Sequence, residues 1–269
     1  MIRYKTMLTI AGSDSGGGAG IQADIKTASA CGVFATSVIT SLTAQNTQGV
    51  KGIHVVPAPF VEMQAEAVLD DIGADAIKLG MLPSPEIVEV VARLIEKYRI
   101  ENVVLDPVMI ATSGDRLISQ QVIEAIITRL LPLVRVVTPN IPEAEFITGV
   151  SLGAAEAADY QRFAQAFFDR QTRAVLLKSG HREAAEVEDR LFDGTIEKSF
   201  GYPYVKTLTR NTHGTGCTLS SAIASFLALG DDLPQAVGRA EDYIHAAVAA
   251  GAEYTLGKGH GPVHHFWNF

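Results

Sequence analysis

Asn211-Thr212-His213-Gly214-Thr215-Gly216-Cys217-Thr218 runs without a break into the apolar stretch Leu219-Ser220-Ser221-Ala222-Ile223-Ala224. The glycines let backbone amides turn inward, and a helix start adds unpaired N–H groups and the positive end of the helix dipole. Together these predict an anion hole. The same letters also read as a plain glycine turn capped by Thr215 or Thr218. No Gly-Lys in the chain is followed by serine or threonine, which disfavours a Walker P-loop. The other glycine loop, Ser15-Gly16-Gly17-Gly18-Ala19-Gly20, does not space its glycines as a dinucleotide fingerprint requires.

Outward from this segment, short apolar runs with β-branched residues alternate with longer amphipathic stretches. That is the α/β pattern of a mainly parallel sheet with helices on both faces. Strands are predicted over Met7 to Ala11, Val33 to Thr43, Ala76 to Met81, Val103 to Met109, Val134 to Thr138 and Val175 to Ser179. Helices are predicted over Ile21 to Ser29, Pro59 to Leu69, Glu86 to Tyr98, Ser119 to Leu131, Ala154 to Gln171, Thr218 to Leu229 and Leu233 to Ala250. Asp189 to Thr209, with Asp193-Gly194 between two short runs, reads as an antiparallel hairpin near one sheet edge. No repeat, low-complexity tract or linker interrupts the order, so one domain over residues 1–269 is expected.

With 47% hydrophobic residues and 24 glycines, the chain has the means to bury a large core. A net charge of -8 and a pI near 5.4 argue against a general nucleic-acid or anionic-membrane surface, so any phosphate binding must be local. Cys31 and Cys217 lie far apart with no zinc-like spacing, which points to a reducing cytoplasm. The N-terminus, Met1-Ile2-Arg3-Tyr4-Lys5-Thr6, fits neither a signal peptide nor a spanning helix, and a soluble protein is expected.

Several blocks in a fixed order carry a resemblance that covers essentially the whole chain. They are Leu8-Thr9-Ile10-Ala11-Gly12-Ser13-Asp14 with the glycines after it, Gly20-Ile21-Gln22-Ala23-Asp24-Ile25-Lys26-Thr27, and Thr43-Ala44-Gln45-Asn46-Thr47. Lys78-Leu79-Gly80-Met81-Leu82, Asp106-Pro107-Val108-Met109, Thr138-Pro139-Asn140-Ile141-Pro142-Glu143-Ala144, the segment from Asn211 and the tail Gly261-Pro262-Val263-His264-His265-Phe266 complete them. On these marks the sequence resembles the hydroxymethylpyrimidine/phosphomethylpyrimidine kinase family of the ribokinase-like superfamily. The resemblance implies a three-layer fold with a mostly parallel central sheet flanked by helices. It also implies ATP and Mg2+ as cofactors, a small pyrimidine alcohol or its phosphate as acceptor, and a homodimer.

The resemblance points the nucleotide's terminal phosphate at Gly214, Thr215, Gly216 and Cys217, with Lys178 at the end of Val175-Leu176-Leu177 as a fixed positive charge beside it. Phosphoryl transfer through a loose transition state needs alignment and charge neutralisation more than covalent help. Lys178 also reads as an ordinary solvated strand end. Asn140 and Glu143 are similar to family positions that serve magnesium and nucleotide phosphates, and oxygen ligands suit a hydrated magnesium ion. Independently, Pro142 and Glu143 make a good helix start. Asp106, leaving its strand before Pro107, is expected near magnesium or phosphate, or as a turn former. His213 falls among the nucleotide-side residues and is expected to order its loop.

On the acceptor side the resemblance places Gly12, Asp24, Gln45, Met81 and Val108 around the pyrimidine. Asp24 would accept from an exocyclic amino group, and Gln45 would face ring nitrogens. Met81 and Val108 would form an apolar wall, or serve simply as core. Cys217 stands where many relatives carry an aspartate base. A thiol at a helix N-terminus is a partial base at best, and the favoured role is to shape the anion hole and present its amide. Pyridoxal is the nearest rival acceptor, against which Gln45 argues. A catalytically silent pyrimidine-binding protein is a reading of a different class, against which Lys178, Glu143 and the 214–217 segment argue.

Overall fold

The computed structural model describes residues 3–109, 118–151, 157–179, 186–203 and 209–269. Its centre is β1 (Thr6–Ala11), where every residue is buried, as a strand covered by helices on both faces must be. β1 pairs in parallel with β2 (Phe34–Ile39) on one side and β5 (Ala76–Leu79) on the other. The sheet continues in parallel through β6 (Val103–Leu105), β7 (Val136–Val137) and β8 (Val175–Leu177). Two antiparallel strands, β9 (Glu186–Phe192) and β10 (Glu197–Pro203), close that side, giving the order β10-β9-β8-β7-β6-β5-β1-β2. The expected edge hairpin is present. Asp193 Oδ1 accepts from the Thr195 and Ile196 amides while Gly194 takes φ 84°. Residues 204–208 of the predicted hairpin lie outside the described residues.

One face is covered by α1 (Gly20–Ala30), α7 (Thr215–Leu229) and α8 (Leu233–Gly251), with Met7, Val104, Leu176 and Ala222 in their common core. The other carries α2 (Ala58–Leu69), α3 (Pro85–Tyr98), α4 (Gln120–Ala125), α5 (Ile141–Thr148) and α6 (Ala157–Phe168) around Leu8, Ile10, Ile77, Leu105 and Phe163. Each such fully buried Val, Leu, Ile, Met or Phe side chain is worth about 1.5–3 kcal/mol relative to exposure. The expected three-layer α/β architecture follows.

Several expectations are corrected. Val33 to Thr43 does not form one strand. The chain leaves the sheet at Thr40, whose amide donates to the Ala11 carbonyl at 3.0 Å and whose hydroxyl donates to the Met81 carbonyl at 2.7 Å. Beyond this kink, β3 (Ser41–Asn46) pairs antiparallel with β4 (Gly49–Val55) as a separate two-stranded flap. β6 ends at Leu105, ahead of Pro107, short of the predicted Met109. The segment predicted as one helix over Ser119 to Leu131 relaxes into a π-helical turn at Ile126–Leu130. The predicted helix start at Ala154 falls outside the described residues. α7 begins at Thr215, three residues before the predicted Thr218, which brings Gly216 and Cys217 into its first turn. Among the described residues no helix is long and apolar enough to cross a membrane.

Candidate active site

The chain order reverses beside β1. β2 lies on one side and β5 on the other, so the carboxyl ends of β1 and β5 flank the crevice where open α/β sheets bind ligands. From these strand ends come Gly12 and Met81, and from the neighbouring strand ends Asp106, Asn140 and Lys178. Asn140 and Lys178 sit side by side as a parallel bridge, with the Lys178 amide donating to the Pro139 carbonyl at 3.0 Å.

Lys178 Nζ lies 3.2 Å from Asp106 Oδ1. Burial alone would lower the lysine's pKa, but Asp106 and Glu143 outweigh it and hold the ammonium charged. Glu143 caps α5 reciprocally: its carboxylate accepts from the Asn140 amide and Asn140 Oδ1 accepts from the Glu143 amide, both at 2.9 Å. Burial pushes the Glu143 carboxyl up to about 7, opposed by Lys178 and reinforced by Asp106. Asp106 and Glu143 thus give two buried carboxylates beside one lysine. Among the described residues no three His, Cys, Asp or Glu side chains converge as a metal cage. Two carboxylates suit a magnesium ion that keeps its waters and its bonds to substrate phosphates.

The first turn of α7 lies above this pair. A Cβ on Gly216 would stand 3.4 Å from Lys178 Nζ and 3.5 Å from Asp106 Oδ2, so the bare glycine face borders the ion pair. Gly214 caps the helix at φ 82°, and a Cβ there would run into the Gly18 carbonyl, so only glycine fits. The two glycine loops therefore touch, as the backbone hydrogen bond between the His213 amide and the Gly261 carbonyl also brings the tail against them.

The first loop is organised by Asp14. Its carboxylate accepts from the amides of Gly16, Gly18 and Ala19 at 2.7–3.0 Å and meets His213 Nε2 at 2.8 Å. Burial would raise its pKa, but these donors hold it below the usual carboxylate value. His213 Nε2 thus links the α7 segment to the first loop, and it also lies 3.4 Å from Gln45 Nε2 of the flap.

Gly12, Met81 and Ser41 come together: a Cβ on Gly12 would meet Ser41 Oγ at 2.7 Å and Met81 Cε at 3.2 Å. Half-buried Gln45 reaches in from the flap, and half-buried Val108 follows Asp106. Asp24 is corrected. Instead of facing a ligand it is fully buried, with both oxygens 2.9 Å from Lys78 Nζ and further bonds from Thr9 and Ser221. Removing one partner of such a pair costs about 3–5 kcal/mol. Cys217 receives the Gly20 amide, and burial pushes its thiol up to about 11, eased by Lys78.

Asp14 and Lys78 were not singled out from sequence. Lys78 had a usable signal, since a charge inside the buried run Ala76-Ile77-Lys78-Leu79 requires a buried partner. Ser41 had none, because its place depends on the Thr40 kink.

A family model described as phosphomethylpyrimidine kinase matches residues 14–264. The chain is 48% identical over 259 residues to the hydroxymethylpyrimidine/phosphomethylpyrimidine kinase of Rhizobium meliloti, covering 96% of each. It is 49% identical over 260 residues to a thiamine biosynthesis bifunctional protein of Geobacter sulfurreducens, covering 97% of this chain and 52% of that protein. The crystal structure of phosphomethylpyrimidine kinase from Clostridium difficile is similar with a TM-score of 0.80 and 42% identity, over 90% of this chain and 99% of that one. Pyridoxal kinase from Staphylococcus aureus, in complex with AMP-PCP and pyridoxal, is similar with a TM-score of 0.89 and 31% identity, over 99% and 96%. A strand-end crevice with facing glycine loops, and near-half identity over almost the full chain, lead to one conclusion: the protein belongs to the phosphomethylpyrimidine kinase family.

Proposed function

We propose that this kinase transfers the terminal phosphoryl group of ATP to hydroxymethylpyrimidine, and then phosphorylates the resulting monophosphate, as a step of thiamine biosynthesis. The observation that carries the reading is the position of the α7 mouth. Its bare Gly216 borders the Lys178–Asp106 pair at the same crevice into which Gly12, Met81 and Gln45 lead.

In this reading the amides of Gly216 and Cys217, in a first helical turn with no intrahelical acceptor, hold the transferring phosphoryl oxygens. Thr215 begins that turn and Gly214 sets its entry. Lys178 neutralises charge that builds on the same oxygens. Asp106 and Glu143 would hold a magnesium ion, whose charge would offset that of the nucleotide phosphates. Asn140 fixes Glu143 through the cap. Gln45 supplies a side-chain amide for the aminopyrimidine edge, beside the apolar surface of Met81 and Val108. Cys217 keeps its proton at neutral pH, since its thiol sits near 11, so it shapes the hole and does not act as the base. Late proton loss from the alcohol makes a strong base unnecessary.

Pyridoxal is the second acceptor to weigh, because pyridoxal kinases share the architecture at TM-scores up to 0.89. A side-by-side rate comparison on both alcohols decides between them. Tight pyrimidine binding without ATP consumption would instead support a silent binding protein. The direct test is purified protein with magnesium-ATP and either hydroxymethylpyrimidine or its monophosphate, products being separated by charge. Monophosphate and diphosphate are expected; the absence of both contradicts the reading.

Two further readings complete the proposal. Exposed Phe34, Leu42, Ile53, Val55, Phe60 and Met63 on β2, the flap and α2 support a homodimer, testable by light scattering. Cys31 and Cys217 are free thiols, which suits a cytoplasmic enzyme.

A further inference from the structure

Four elements meet at the Asp24 carboxylate. Lys78 of β5 reaches both oxygens at 2.9 Å, Thr9 of β1 donates to Oδ2 at 2.6 Å, and Ser221 of α7 donates to Oδ1 at 2.7 Å. Asp24 lies one turn into α1, past the Gly20 that starts it, and Ser221 lies one turn past Cys217 on α7. The carboxylate therefore joins the two helices whose first turns frame the crevice: one ends the first glycine loop, the other makes the anion hole.

The surroundings are built around the lysine. A Cβ on Gly80 would stand 2.9 Å from Lys78 Nζ and 2.8 Å from the Ala11 Cβ, so a bare glycine leaves the ammonium its room. Lys78 is fully buried and held charged, because Asp24 and Asp106 together outweigh the burial that would lower its pKa.

We propose that the Lys78–Asp24 pair, acting through Ser221, is a positioning device. It fixes α7 in register against α1, and so sets the distance between the acceptor oxygen and the phosphoryl group at Gly216 and Cys217. Both side chains have no exposed surface, so neither touches a substrate. The pair carries no net charge, which makes its contribution geometric. An apolar helix contact tolerates sliding, whereas directional bonds to one carboxylate fix a single register. In-line transfer is sensitive to this, since a displacement of about 1 Å can lower a rate by about a hundredfold. The inference rests on transfer taking place at the α7 mouth.

Ser221→Ala cuts the tie to α7 and leaves the ion pair and the Thr9 bond intact. Expected are a melting temperature lowered by no more than several degrees, a KM for ATP within about twofold of the parent, and a kcat lowered about tenfold. The share of ATP lost to water instead of the alcohol should also rise. Asp24→Leu combined with Lys78→Met replaces the pair by apolar groups of similar volume, a change that buried pairs tolerate. It should show the same split of kcat from KM, enlarged to about a hundredfold.

Parent kcat and coupling in Ser221→Ala overturns the proposal, as does parent turnover in a folded double variant. Parallel loss of kcat, ATP affinity and melting temperature marks a merely structural role and also overturns it. Should the double variant not fold, Ser221→Ala decides alone. Lys178→Ala tests the location of transfer separately, so failure of that reading is distinguishable from failure of this one.

Discussion

Lys178 Nζ and Asp106 Oδ1 stand 3.2 Å apart, and both residues come within 3.5 Å of the point where a side chain would begin on Gly216. A lysine paired to one carboxylate is electrostatically quiet at rest. In the proposed reading the pair would polarise phosphate oxygens entering on the glycine side, because the lysine is already desolvated and its charge is fixed by the strand end.

Gly216→Ala separates stability from chemistry. Alanine is the better helix former by about 1 kcal/mol, so the melting temperature should hold or rise. The new methyl group borders the Lys178–Asp106 pair, and kcat should fall at least about tenfold. Thermal melts and steady-state rates on one preparation check both halves.

Gly214→Ala should behave in the opposite way. The added Cβ meets the Gly18 carbonyl while the backbone stays at φ 82°, so strain adds to steric conflict. A loss of about 1–3 kcal/mol in stability is expected together with the loss of activity. Urea unfolding measures the first.

Cys217→Ser tests the protonated thiol. With burial holding it near 11, no thiolate contributes at neutral pH, and kcat should stay within about tenfold of the parent. Near-complete loss with pyrimidine binding intact would show that the thiol is the base.

Stability should decline with pH through two buried acids far from this chemistry in role. Burial, with Glu241 adding, raises Asp189 from 3.8 to about 7, and burial, opposed by Asp189 and Lys178, raises Glu241 from 4.5 to about 8. The folded state therefore holds more protons than the unfolded chain between roughly pH 4 and 8, and unfolding becomes easier as pH rises across that window. Glu241 Oε1 also has no hydrogen-bond partner. Glu241→Gln should melt higher than the parent at pH 8 and show a smaller or no advantage at pH 5.

Much of this was legible in the sequence because it is local. The helix start at Pro142 and Glu143, the glycine-rich run that leads into α7 and the Asp193-Gly194 hairpin depend on residues a few positions apart, where spacing dictates hydrogen bonding. What escaped is long-range. The Thr40 kink depends on Met81 and Ala11, the Asp14–His213 contact spans 199 positions, and Ser221 meets Asp24 across 197. Asp24 was misassigned for the same reason: its apparent freedom to bind a ligand vanishes once Lys78 is placed beside it.

The turnover of Lys178→Ala with magnesium-ATP and hydroxymethylpyrimidine bears most directly on the grip of the α7 mouth on the transferring phosphoryl group. A folded variant with kcat lowered at least about a hundredfold is expected. Parent turnover in that variant would contradict it.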